Sequence, residues 1–297
     1  MSISSNRLEL KTKTRANRNY FLVRKILEEQ KMNTVCQKAA CPNIYECFGE
    51  KTATFLILGE KCTRSCSFCL IDTEDSPGEL DVAEPYRVAE AVAKLGLNYT
   101  VITSVCRDDL DDGGASVFFE TIKWIKRLNP NTLVEVLTPD FGGNEKALQT
   151  VLKACPDVFN HNIETVSRLY PEIRPQADYR CSLDVLRKVK HQGLVVKSGI
   201  MVGFGENQQE IIDTMHDIRA TGTDILTIGQ YLRPTSAHYE VKRFYRLQEF
   251  SFLKQLGLAM NYKVVEAMPL VRSSYKAHES YLEVSEANLK QSNENTV

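Results

Sequence analysis

Long apolar runs are missing from this chain of 297 residues, and so is any excess of one charge. The longest apolar stretch, near Ala53–Gly59, falls far short of the roughly 20 residues that a membrane-spanning helix needs. No apolar segment of the secretory type follows the start, so export is not expected and a cytoplasmic location is. Lys and Arg number 37 against 38 Asp and Glu, a balance that gives no reason to expect nucleic acid or a membrane surface as a partner. Residues 1–20 carry five basic side chains and one acid, Glu9, only a weak likeness to an organelle transit segment. Tryptophan occurs once, at Trp124, on a helical pattern where packing is its expected role, and His161 carries no functional expectation. There is no internal repeat and no low-complexity block.

Apolar residues make up 43% of the chain, enough for one large core. An amphipathic helix is expected over Asn17–Met32. Short β-branched runs follow at 53–58, 99–103, 132–137, 157–163, 194–202 and 224–228, with helical patterns between them. Pro85 suits the first turn of one such helix. Strands alternating with helices, each strand almost continuously apolar, indicate a parallel sheet covered by helices. The expectation is an α/β fold of partial (βα)6 TIM-type barrel form, with a doubly wound open sheet as the alternative. In both, ligands gather at the C-terminal strand ends. The expected divisions are an N-terminal extension at 1–50, the barrel at 51–232, and a C-terminal extension at 233–283 with a short strand at 262–267. Polar composition predicts a disordered tail at 284–297.

Nine cysteines without a secretory segment argue against disulfides and for metal ligation. Cys62, Cys66 and Cys69 stand in CX3CX2C spacing directly after the strand at 53–58. Three thiolates can hold three irons of a [4Fe–4S] cube and leave the fourth iron open to a bound molecule. Zinc sites favour paired CX2C groups, and only one occurs here. Cys36, Cys41 and Cys47, in CX4CX5C spacing, form a second triplet that is also one ligand short. Cys106, Cys155 and Cys181 are scattered.

CX3CX2C with Phe68 before its last cysteine resembles the radical S-adenosylmethionine (SAM) superfamily. The added CX4CX5C, with SVCRDDLDDGGA at 104–115, DVFNHNIETV at 157–166, RPQADYR at 174–180, KSGIMVG at 197–203 and RSSY at 272–275, is similar to the lipoyl synthases over about residues 30–280. That resemblance implies two [4Fe–4S] clusters. One, on Cys62, Cys66 and Cys69, cleaves SAM to a radical that abstracts hydrogen. The other, on Cys36, Cys41, Cys47 and a serine of RSSY, is consumed as the source of two sulfur atoms inserted at C6 and C8 of a protein-bound octanoyl chain. Oxygen is a harder ligand than thiolate, so a serine holds its iron weakly enough for the cube to open. Ser273 and Ser274 both remain open, with Ser274 preferred.

The same resemblance places Gly113 and Gly114 against the methionine amine of SAM, where a bare backbone can approach closely. It places Gly199 and Gly203 of GIMVGFGE at the adenine. Asn162 and Glu164, at the end of the fourth expected strand, are candidates for the ribose hydroxyls or the amine. Arg107 and Arg272 are candidates for ordering loops near the clusters. Leu70 and Met268 stand where relatives usually carry other residues. Implied partners are octanoylated lipoyl-carrier domains (E2 subunits or the glycine-cleavage H protein), a low-potential donor such as ferredoxin or flavodoxin, and iron–sulfur carrier proteins. Two other readings compete. A biotin-synthase-like enzyme or methylthiotransferase would share CX3CX2C alone, and a paired-cluster electron carrier would need complete ligand sets.

Overall fold

The computed structural model describes residue 12 and residues 15–294; most of the weakly transit-like start lies outside them, as do residues 295–297 of the expected tail. Among the described residues one sheet runs in strict sequence order: β1 (Asn33–Thr34), β2 (Thr54–Ile57), β3 (Tyr99–Ser104), β4 (Leu133–Leu137), β5 (Val158–Asn160), β6 (Val195–Val202), β7 (Ile225–Gln230) and β8 (Val264–Ala267). β1 pairs antiparallel to β2, and every later pair is parallel. The six expected strands are therefore present within a residue or two at most ends. The short strand at 262–267 joins the same sheet as a seventh parallel member.

The helices are α1 (Arg18–Glu29), α2 (Val35–Lys38), α3 (Ile44–Gly49), α4 (Glu84–Leu95), α5 (Ala115–Leu128), α6 (Glu145–Lys153), α7 (Tyr170–Ile173), α8 (Tyr179–Lys190), α9 (Gln208–Ala220), α10 (Leu247–Ala259) and α11 (Ala277–Glu294). Local chemistry explains their ends. The Asn17 side chain caps α1 and the Asp178 side chain caps α8. Pro85 opens α4, and Gly96 closes it in the left-handed region. Asn207 and Glu210 form a reciprocal capping box on α9. Trp124 lies half-buried on α5, edge-on to Tyr86.

Inside the sheet, the Lys197 ammonium meets Glu135 Oε1 at 3.1 Å, with both side chains fully buried. The Tyr99 hydroxyl and the Asn160 amide donate to the same carboxylate at 2.6 and 3.1 Å, so each oxygen is satisfied. Below this layer, Tyr99, Val101 and Val158 pack on Ala277, and Ile225 and Val264 pack on Val284. This contact corrects the expected disorder from residue 284. α11 continues to Glu294 because its sparse apolar side chains close the open N-terminal end of the barrel.

Candidate active site

Two cysteine sites flank β2. Its four residues span about 13 Å at the usual rise of a strand. At its C-terminal end the chain turns through Leu58 and Gly59, both at positive φ, into the loop carrying Cys62, Cys66 and Cys69. That loop is tied from several sides. Ser67 N–H donates to Ile173 O at 3.0 Å and Tyr239 N–H to Ser67 O at 2.9 Å. Ser65 N–H donates to Gln176 Oε1 at 3.1 Å, and His238 Nε2 lies 3.0 Å from Cys69 O. Phe68 packs on the aromatic group of Phe204, Tyr231 and Tyr239.

Arg64, between the first two cysteines, is the strongest tether. Its guanidinium is nearly inaccessible and forks onto Asp108 at 2.7 and 2.7 Å, while the same group meets buried Asp140 at 2.7 Å. Burial works to raise the Asp140 carboxyl, but the hydrogen bond and charge of Arg64 win and hold it down at about 2. Sequence reading missed this clamp. Arg64 is visible inside CTRSC and Asp140 inside TPDF, but nothing local pairs residues 76 positions apart.

The thiols differ in environment. Cys62 is brought down to about 6, first by the Cys106 thiol beside it, against the effect of burial. Burial raises Cys66 and pushes Cys69 up to about 12. Thiolates in such surroundings become stable once a metal neutralises them.

Deeper in the mouth, Asn162 Nδ2 donates to Glu164 Oε1 at 3.0 Å and to Ser273 Oγ at 3.2 Å. Glu164 is held at φ +69°, and burial raises its carboxyl. Arg174 donates to Asn162 O and to Tyr170 Oη. Asn162 Oδ1 and Arg174 Nε are buried without a partner, an open acceptor and an open donor in one region. Gly199 faces Asn162 and Thr227 so closely that a Cβ would fall 2.5 Å from Thr227 Oγ1. Gly203 sits at φ +114° in a loop fastened by Glu206, which accepts from Gly203 N–H and Phe204 N–H. Gly113 and Gly114 lie at the start of α5, where Gly114, at φ +86°, leaves room for Leu58. Arg107 binds Asp109, Gly78 O and Leu58 O, which fastens the loop before α4 to the end of β2.

The other cysteine site lies at the opposite end of β2. Cys36 on α2, Cys41 in the turn after it, and Cys47 on α3 line a cavity of about 370 Å³, together with Thr54, Tyr99, Arg272, Ser274 and His278. The sequence pointed to C-terminal strand ends for all the chemistry; the second triplet instead borders the N-terminal ends of β2 and β3. Burial pushes Cys36 up to about 11 and Cys47 up to about 12, each helped by neighbouring thiols, and it raises Cys41. Ser274 faces this cavity. Ser273 is the serine bonded to Asn162. Asn43 Nδ2 donates to Leu270 O at 2.7 Å and so pins the RSSY segment to the cysteine-bearing extension. Among the described residues no three His, Cys, Asp or Glu side chains converge on a point suited to a single ion. A cube needs no such point, since each of its thiolates takes a different iron.

The model of the radical SAM superfamily matches residues 56–218. A lipoyl synthase of Rubrobacter xylanophilus is 56% identical over 272 residues, covering 91% of this chain and 84% of the relative. One from Shouchella clausii is 50% identical, covering 91% and 88%, and one from Pyrobaculum calidifontis is 54% identical, covering 85% and 88%. Among solved structures, a methylornithine synthase aligns with TM-score 0.52 at 16% identity over 86% of this chain and 79% of its own. A maturase of the [FeFe]-hydrogenase aligns with TM-score 0.57 at 14% identity, over 77% and 54%. At such identities these two structures speak for the fold.

Proposed function

This chain belongs to the lipoyl synthases of the radical SAM superfamily, and from that premise we propose that its two cysteine triplets divide the insertion of two sulfur atoms at C6 and C8 of a protein-bound octanoyl chain. When bound, one cluster with SAM supplies a carbon radical, and the other cluster supplies sulfide. The observation carrying the division is the cavity that gathers Cys36, Cys41, Cys47 and Ser274 in one wall, separated by β2 from Cys62, Cys66 and Cys69.

Cys62, Cys66 and Cys69 hold the radical cluster, on a loop kept in place by Arg64, Gln176 and His238. The unpartnered Asn162 Oδ1 and Arg174 Nε suit the zwitterionic methionine of SAM, one accepting from an ammonium and the other donating to a carboxylate. Glu164 adds a carboxylate beside them, and the bare backbones of Gly113 and Gly114 let the methionine approach. Gly199 and Gly203, in and just after β6, mark the stretch proposed to meet the adenine. Cys36, Cys41, Cys47 and Ser274 hold the sulfur-donating cluster. Buried walls between the two sites keep water and foreign C–H bonds from a primary radical.

The substrate is an octanoylated lipoyl-carrier domain. E2 subunits and the glycine-cleavage H protein are the proposed carriers, ferredoxin or flavodoxin the proposed electron donor, and iron–sulfur carrier proteins the proposed source of new clusters. No described helix is long and apolar enough to cross a membrane, and the cytoplasm is the proposed compartment.

The test is anaerobic. Reconstituted protein should hold about eight irons per chain. With reductant, SAM and an octanoylated peptide it should release 5′-deoxyadenosine and add two sulfur atoms to the peptide by mass. Cys66→Ala should abolish deoxyadenosine formation. Cys41→Ala should keep SAM cleavage and lose sulfur insertion. Normal sulfur insertion by Cys41→Ala would sink the division.

A further inference from the structure

Ser273 has no part in the division of labour above, yet it stands where the two sites touch. Asn162, at the mouth of the barrel, donates from its amide nitrogen twice, to Glu164 Oε1 at 3.0 Å and to Ser273 Oγ at 3.2 Å, so both amide hydrogens are used. The Glu164 carboxylate fixes which way the amide faces, because an amide oxygen turned toward it would be repelled. Asn162 Oδ1 therefore points the other way, buried and without a partner, at the place assigned above to the SAM ammonium. Gly199 makes this pose possible: a Cβ there would fall 2.9 Å from Asn162 Oδ1.

Ser273 is also the covalent neighbour of Ser274, which lines the cavity of Cys36, Cys41 and Cys47. Two further hydrogen bonds hold the same segment, from Asn43 Nδ2 to Leu270 O at 2.7 Å and from Gln230 N–H to Pro269 O at 3.1 Å. Both act before Arg272, so of the three tethers the Asn162 amide holds the segment nearest to Ser274. Consecutive Cα atoms lie about 3.8 Å apart, so a shift of Ser273 is passed to its neighbour almost undiminished.

We propose that Ser273 is a positioning residue that couples the methionine site of SAM to the sulfur-donor cavity, through the amide of Asn162 that the two share. This rests on reading Asn162 as a SAM contact and Ser274 as a cluster ligand. A ligand on Oδ1 locks the amide in the orientation that also serves Ser273, and a seated Ser273 keeps Oδ1 ready for the ligand. By linkage the two effects are equal in size. The segment carrying Ser274 is thus gripped while SAM is bound and loosened once methionine has left.

Reconstituted full-length protein is compared with Ser273→Ala and Ser273→Thr. Ser273→Ala should hold wild-type iron and raise the KM for SAM in 5′-deoxyadenosine formation roughly three- to tenfold, more than it lowers kcat. Hydrogen exchange read by mass spectrometry, without reductant so that SAM binds and stays whole, reports the coupling directly. In the wild type SAM should slow exchange in both 160–166 and 269–276; in Ser273→Ala it should slow 160–166 alone. Ser273→Thr keeps the hydroxyl and should restore both readouts. A wild-type KM in the alanine variant, persistent SAM protection of its residues 269–276, loss of its donor-cluster iron, or a threonine variant displaced as far as alanine would overturn the proposal. A wild type in which SAM leaves 160–166 unprotected would overturn the assignment of Asn162 first, a distinguishable failure.

Discussion

Two adjacent serines meet two different environments in RSSY. Ser274 faces the cavity of Cys36, Cys41 and Cys47, while Ser273 Oγ accepts from Asn162 on the far side of the segment. Ser274→Ala should lower iron occupancy of the donor cluster and stop sulfur insertion, with SAM cleavage retained. Ser274→Cys should hold normal iron but transfer sulfur slowly, because a thiolate keeps its iron more firmly than an alkoxide. Ser273→Ala should keep donor-cluster iron. Iron analysis beside product mass checks all three, and normal product from both alanine variants would return RSSY to the status of a turn. Acid stability is set by other single residues. His161 is fully enclosed, and burial, then the charge of Arg174, brings it down to about 4. An unfolded histidine titrates near 6.5, so below that value the unfolded chain takes up a proton that the folded chain refuses. Stability should fall by up to about 3 kcal/mol as pH drops from about 6.5 to about 4. Asp140, held at about 2, contributes above about 4 and loses its contribution between about 4 and about 2. Urea unfolding at pH 7, 5.5 and 4.5 should show the first decline, and His161→Gln should flatten it. Equal slopes in the two proteins would count against the assignment.

The segment after β8 reaches the cavity of Cys36, Cys41 and Cys47, the proposed sulfur-donor site, because β7 leaves space for it. A Cβ on Gly229 would fall 2.3 Å from Val271 O and 3.1 Å from the Arg272 guanidinium. Gly229→Ala must therefore displace RSSY and with it Ser274. The expected result is reduced donor-cluster iron and little sulfur insertion, with SAM cleavage largely kept; unchanged product yield would show that the segment can move aside. Within DILTIGQ this glycine reads as an ordinary strand residue, since the chain that fills its space lies more than forty positions away. The cysteine elements are different. The spacing of each triplet is local, and the turns and short helices that carry them follow within a few residues, so both proposed ligand sets are visible as patterns in the sequence. The position of the second set was not, because the antiparallel pairing of β1 with β2 carries it to the lower end of the sheet.

Across the whole molecule the barrel depends on α11 for its floor. Val284 is fully buried against Ile225 and Val264, while Leu289 on the same helix is 66% exposed. Val284→Ala should cost about 2 kcal/mol through lost burial and the cavity left behind. Leu289→Ala should change stability by less than about 0.5 kcal/mol. Deleting residues 277–297 exposes Tyr99, Val101, Val158, Ile225 and Val264 together, and should lower the calorimetric transition steeply. A truncated chain melting with the full one would show that the floor is dispensable.

The sequence by itself determined the chemistry and the class of fold. Ligand spacing is a short-range property, and strand and helix periodicity is written within windows of about ten residues. The six cysteines, the α/β alternation and the RSSY serines could all be read in that way. Tertiary structure alone decided which serine faces the donor cavity, that Arg64 is clamped by Asp108 and Asp140, that Cys106 touches Cys62, and that a polar C-terminal stretch is a helix. Each of these joins residues far apart in the chain or turns on which side of a backbone a side chain emerges. Composition is blind to both, because burial against a distant partner, such as Val284 on Val264, offsets a local preference that points the other way.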